Sequence, residues 1–302
     1  MDIASLFPSI EPWFLILLGV CAIALVLGSI TDLRTREVPD FLNYGLIFLG
    51  LALHCMLSIV YWDPRFAIGS LLGLSICFGI GWLMFYAGQW GGGDSKMLMG
   101  LGSILGLPFA LEGSFLLSLL LNILFAGAIY GLLWSIGLVV RNRKRFAKAF
   151  AILIRHKLHR RMRPLLLSLL MAFFALLFVP LANIALKISF LWALILLPFM
   201  YYVFLFVKSV ERSSMFILLP ISRITEGDWI AKDVIIRGKR ICGPKDLGIS
   251  KKQINALRDY ERRGLIGKVL IKQGIPFIPS FLLAFIFTLI WGNPFTLLVG
   301  FF

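Results

Sequence analysis

Two aspartates occupy places where ionisable side chains are scarce. Asp32 follows the first long apolar run, in Thr31-Asp32-Leu33-Arg34, and Asp94 precedes a later one, in Gly91-Gly92-Gly93-Asp94-Ser95-Lys96. A charge at or in a bilayer is costly, which makes each a functional hypothesis. Two carboxylates brought close cannot easily both ionise, and they come to share a proton. The ionised member can then draw a proton from water while the protonated member donates to a carbonyl oxygen. That is hydrolysis of the aspartyl-protease kind. No Ser–His or Cys–His pair competes: His54 lies in an apolar run and reads as a core residue, and His156 and His159 belong to a basic stretch.

Each candidate also has a plainer role. Asp94 can cap a helix, where the macrodipole favours its ionised form. Asp32 can pair with Arg34 or Arg36. Asp40, after Pro39, reads as the N-cap of the second apolar helix, with first catalytic carboxylate as its lesser alternative. Lys96 either snorkels to headgroups or tunes Asp94. Gly91, Gly92 and Gly93 allow close backbone approach to a helix or an extended substrate. Gly69-xxx-Gly73 and Gly102-xxx-Gly106 supply small-residue packing faces.

The surrounding elements are apolar helices. The chain has 302 residues and is 60% hydrophobic, with a mean hydropathy of +0.92. Soluble domains run at about 45–50% apolar. Runs long enough to cross a bilayer recur, giving an expected all-α polytopic membrane protein of about eight transmembrane helices. They fall near 12–30, 41–61, 66–88, 95–111, 114–140, 164–182, 189–207 and 275–300. The fourth is short, glycine-rich and contains Pro108. The first run lacks the basic flank of a cleavable signal and is expected as a retained helix. Cys21, Cys55, Cys77 and Cys242 form no CxxC or Cys/His cluster, so no metal, cofactor or disulfide framework is expected.

Charge sets the orientation. With the N-terminus outside, the inside segments 31–40, 89–96, 141–163 and 208–274 hold 2, 1, 10 and 15 basic residues, 28 of the 30. Arg65 and Lys187 are the two outside. This is the positive-inside pattern. It places both aspartates at the cytoplasmic face and explains the net charge of +15 without nucleic acid.

The expected organisation is a catalytic membrane core over 1–140, a basic cytoplasmic segment over 141–163, a transmembrane hairpin over 164–207, a small cytosolic α+β insertion over 208–274 and a last helix over 275–302. The basic segment reads as an amphipathic helix on anionic lipid headgroups or as a solvated loop. In the insertion, 229–241 alternates around Arg237-Gly238-Lys239 as a hairpin does. Ser250 and Gln253 have capping-box spacing for a helix that stops at Gly264.

Thr31–Asp40 and Gly91–Lys96 together resemble the type IV prepilin peptidase and preflagellin peptidase family in its archaeal form. Arg34, Arg36, the three glycines and Lys96 complete the two motifs. The resemblance covers about residues 12–140, with a further likeness at 275–284. It implies Asp32 and Asp94 as the catalytic pair and removal of a short basic leader from pilin-like or archaellin precursors at the cytoplasmic face. The cysteine-bearing insertion of many bacterial members is missing, so it implies peptidase activity without methyl transfer. Glu37, Asp40, Glu226 and Asp228 are candidate counter-charges for leader lysines. The oligomeric state is left open. Presenilin and signal-peptide-peptidase proteases are the alternative, but their Tyr-Asp and Pro-Ala-Leu motifs are not matched here. A transporter with carboxylate ion sites is the further alternative, without the internal repeat such folds often show.

Overall fold

A computed structural model describes residues 11–109, 113–155, 157–177 and 184–294. The chain divides into two compact units, Met1–Leu132 with Gly274–Phe302, and Leu133–Gln273.

The first unit contains helices α1 (Pro12–Thr35), α2 (Asp40–Val60), α3 (Arg65–Tyr86), α4 (Gly92–Leu105), the start of α5 (Phe115–Arg141) and α10 (Ile278–Trp291). Its centre is α4. Ser95, Met97, Leu98 and every residue from Gly100 to Leu105 are buried against α1, α2 and α3. Small residues make that enclosure possible. Gly73 of α3 and Gly102 of α4 approach so closely that a Cβ on either would strike the other's carbonyl oxygen. The two expected glycine faces therefore pack on each other. Gly50 of α2 lies against the backbone of Ser103 and Ile104. Buried side chains then tie α4 to its neighbours. The Ser103 hydroxyl donates to the Ile47 carbonyl at 2.8 Å, and Ser70 donates to the Ser103 carbonyl at 2.7 Å. His54 Nε2 meets the Ile104 carbonyl at 2.8 Å. Inside a bilayer such polar atoms need protein partners.

Among the described residues, five helices are long and apolar enough to cross a membrane: Pro12–Thr35, Asp40–Val60, Arg65–Tyr86, Phe115–Arg141 and Lys187–Met215. Three other expected spans fall short of that standard within the described residues. α4 has 14 residues, about 21 Å of helix against a core of about 30 Å. α7 (Lys157–Leu177) spends its first turns on Lys157, Arg160, Arg161 and Arg163. α10 also has 14 residues as described. Expected positions 178–182 and 295–300 lie outside the described residues.

The second unit begins with α6 (Arg143–Arg155), α7 and α8 (Ile184–Val210). Phe146 of α6 packs edge-on to Phe206 of α8, with centroids 5.6 Å apart, so part of the apolar face of this basic helix is covered by protein. A small α/β piece follows. Strands β1 (Phe216–Pro220), β5 (Lys268–Lys272) and β2 (Trp229–Ile230) form a sheet in the order β1-β5-β2. β3 (Val234–Ile236) and β4 (Lys239–Cys242) form a separate hairpin. Arg237 and Gly238 both have positive φ, 51° and 76°, as a two-residue turn of the right twist requires. The expected hairpin is thus shorter than its alternating pattern: Trp229 and Ile230 pair with β5 instead. Helix α9 (Lys251–Arg262) starts on Ser250, whose hydroxyl accepts from the Gln253 amide. Gly264, at φ 69°, follows its end.

Candidate active site

Asp32 lies in the last turn of α1 and is 5% exposed. Its Oδ2 accepts from the Ile278 amide at 3.0 Å. Ile278 is the first residue of α10, and Pro279 beside it has no N–H to offer. The carboxylate thus satisfies one of the free amides at a helix N-terminus, where partial positive charge favours an anion. Arg36 fixes the approach. It takes a left-handed conformation, φ 63°, and its amide donates to the Asp32 carbonyl at 3.0 Å. Its Nη1 donates to the Gly274 carbonyl at 2.7 Å, joining the end of α1 to the segment leading into α10.

Asp94 is the third residue of α4 and is half-buried. Its Oδ2 accepts from the Gly91 amide at 2.9 Å, so the carboxylate reaches back over the helix start without occupying the cap position itself. Gly93 lies against Val38, where a Cβ would come within 3.2 Å of the Val38 Cβ. Ser95 donates to the Gly81 carbonyl at 2.9 Å and so pins the first turn of α4 to α3.

An aromatic cluster brings the two half-sites together. Trp90, next to the glycine run, packs on Phe277 and Phe281 at centroid distances of 5.8 and 5.3 Å. Phe277 precedes the amide that holds Asp32, and Trp90 precedes the amide that holds Asp94. The charge of Asp32 consequently reaches Asp94. Gly127 of α5 also accommodates the Phe277 ring. One turn on, the buried Tyr130 hydroxyl is close enough to Asp32 and Arg36 to feel both charges.

The other expected residues separate. Lys96 engages Asp40, with Nζ 2.6 Å from the carboxylate and 5.0 Å above the Tyr44 ring. This partner is one that neither reading of Lys96 named. The contact also corrects the capping role expected for Asp40. Pro39 is the N-cap of α2, and Asp40 is its first residue, with its carboxylate spent on a lysine. Arg34 and Glu37 are exposed. Glu226 and Asp228 belong to the second unit. Glu226 pairs with Lys251 at 3.3 Å, and Asp228 accepts from the Thr225 amide at 2.8 Å. Among the described residues, no group of three His, Cys, Asp or Glu could hold a metal.

Sequence reasoning missed Ile278, Gly274, Phe277 and Tyr130. Pro276 and Pro279 flag the start of α10, but no local pattern says that its first amide meets a carboxylate 246 residues away.

Fold and site together define a helical membrane protein that brings two carboxylates to adjacent helix termini. Residues 19–134 match the sequence model of the Type IV leader peptidase family. The preflagellin peptidase of Methanocaldococcus jannaschii is 40% identical over 86 residues, 28% of this chain and 36% of that protein. Those of Methanococcus maripaludis and Methanococcus voltae are 40% and 39% identical over 83 residues each, 36% and 35% of their lengths. These matches make this segment similar to the prepilin and preflagellin peptidases, the likeness that the two motifs imply. The chain spans about a third of the length of these relatives.

Proposed function

We propose that the protein is a membrane aspartyl endopeptidase that removes the short basic leader of type IV pilin-like or archaellin precursors, with Asp32 and Asp94 as its catalytic pair. The observation that carries this reading is the meeting of the two aspartates, 62 positions apart in sequence, inside the segment that matches leader peptidases. One carboxylate is ionised and takes a proton from water. The water oxygen attacks the scissile carbonyl as the other carboxylic acid protonates the carbonyl oxygen. Collapse of the tetrahedral intermediate releases the new amine, which receives a proton from the pair. The amides of Ile278 and Gly91 hold the two groups in place through this cycle.

The same reading puts the N-terminus outside and the pair at the cytoplasmic face, supported by the distribution of Lys and Arg. It retains eight crossings, with the core over 1–140, the hairpin over 164–207 and the insertion over 208–274 on the cytoplasmic side. The basic stretch 141–163 meets anionic headgroups. Among the candidate leader-binding acids, Glu37 leads. It is exposed beside the site, whereas Asp40 and Glu226 have lysine partners and Asp228 is bound in a turn. Glu37→Lys is expected to raise KM for a basic leader and leave kcat nearly unchanged.

The test is cleavage of leader-bearing precursors by the full chain and by Asp32→Asn and Asp94→Asn, with the cut mapped by mass spectrometry. A cut before the precursor's apolar helix, lost in both variants, supports the proposal. Full activity in either variant, or a cut inside the helix, rejects it.

A further inference from the structure

No Asp or Glu occurs between Glu112 and Glu211, so the basic groups in that stretch have no acid of their own region to balance them. Three cations line one open, shallow pocket. Arg145, Lys148, Ala149 and Ile152 of α6, with Arg212 and Ser213 just after α8, line a space of about 330 Å³. Phe146 lies on Phe206 of α8 and stacks on Phe150 at 5.6 Å, which fixes the rotation of α6 and with it the placement of its cations.

The nearest acid along the chain, Glu211, is taken. Lys208 and Lys272 hold it at 2.6 and 2.7 Å. Among the described residues, no carboxylate pairs with Arg145, Lys148 or Arg212. Like charges gathered around one space repel unless an anion joins them. Guanidinium forks suit the oxygens of a phosphate, and a lysine adds a point charge. Arg212 and Ser213 fall in the last turns of the apolar helix Lys187–Met215, which is long and apolar enough to cross a membrane, and the ends of a spanning helix lie among lipid headgroups. Ile152, 62% exposed, adds an apolar wall.

We propose that Arg145, Lys148 and Arg212 form a binding site for the phosphate of an anionic phospholipid headgroup, at the end of the helix Lys187–Met215. This site rests on the reading that 141–163 meets anionic headgroups and gives that contact its residues; it is separate from the carboxylate pair and does not depend on what the chain cleaves.

The full chain is purified in detergent after exposure to vesicles of phosphatidylcholine with or without phosphatidylglycerol, and retained lipid is counted by native mass spectrometry. Wild type is expected to retain phosphatidylglycerol and not phosphatidylcholine. Each basic group near a headgroup contributes roughly fivefold, so Arg145→Gln/Lys148→Gln/Arg212→Gln lowers retention on the order of 100-fold. The control Lys252→Gln/Arg258→Gln/Arg263→Gln removes equal charge from α9 and its end, and it keeps the lipid. Matched melting temperatures establish that both variants fold. Equal retention by the first triple variant, equal loss in the control, or retention of phosphatidylcholine overturns the proposal. So does displacement of the lipid by millimolar inorganic phosphate, which reassigns the site to a soluble anion.

Discussion

Asp32 and Asp94 of the first unit are held differently from the ion-paired carboxylates of the second. In the first, Asp32 is buried and Asp94 half-buried, and each oxygen described accepts from a backbone amide. In the second, Asp233 and Asp246 meet Arg240 at 2.8 and 3.1 Å, Asp233 and Arg240 being exposed and Asp246 half-buried, and Glu226 meets Lys251. Surface pairs of this kind contribute little, about 0–1 kcal/mol each. A carboxylate withdrawn from water costs far more and persists only where other groups hold it. Such costly placement is the physical reason for proposing Asp32 and Asp94 as the catalytic pair.

The apolar helices divide along the same line. α4 is short, rich in glycine and serine, and enclosed on its sides. α8 is long and shows Trp192, Leu196 and Met200 on its surface, all more than half exposed. Hydropathy alone ranks α8 as the more membrane-like helix, yet it is α4 that carries Asp94. A helix that presents a carboxylate at its start and is clasped by three others gains most from small residues, because backbone proximity sets the position of the acid.

Four experiments probe this contrast, from the largest expected effect to the smallest. Asp32→Asn and Asp94→Asn should each lower leader cleavage by about 10²–10⁴-fold, while Asp233→Asn should leave the rate of product formation unchanged. Equal losses in all three would erase the distinction between the units. Next, Gly73→Leu forces a side chain into the α4 backbone and should cost about 1–3 kcal/mol or more. Gly79→Leu on the same helix, with nothing within 4 Å of its Cβ position, should be near neutral. Melting in detergent compares them.

The third experiment is a pH series. Burial raises Asp246, but hydrogen bonds from Arg240, Gly243 and Gln253 outweigh it and hold the group below the ordinary carboxylate range. A lowered folded value means stability that is present above the unfolded pKa of about 3.9 and lost as pH falls through the folded value. Amide protection over 239–254, corrected for intrinsic exchange, should fall in that window, and Asp246→Asn should remove the dependence. The smallest effect is expected on α8: Leu196→Ala should shift stability by no more than about 0.5 kcal/mol. A loss as large as that of Gly73→Leu would mean that α8 is packed as tightly as α4.

Much of this architecture is legible in the residues. The Gly-xxx-Gly pairs name the faces that pack, because only small residues permit that approach. Arg237-Gly238 and Ser250–Gln253 announce a turn and a helix start through local chemistry. The failures come where partners are distant. Trp229 and Ile230 alternate as if they belonged to the hairpin, but β5 offers a longer partner. Asp40 looks like a cap until Lys96, one helix away, claims it.

The amino-acid sequence by itself determined the membrane class, the two aspartate motifs and the family likeness. These follow from hydropathy, spacing and residue type, which act locally or are summed along the chain. The tertiary structure alone decided that Asp32 rests on the start of α10, that Trp90 and Phe277 join the half-sites, and that Lys96 serves Asp40. Those contacts link segments far apart in sequence. Their energy depends on packing and on amides left free at helix ends, and no linear pattern encodes which groups will meet.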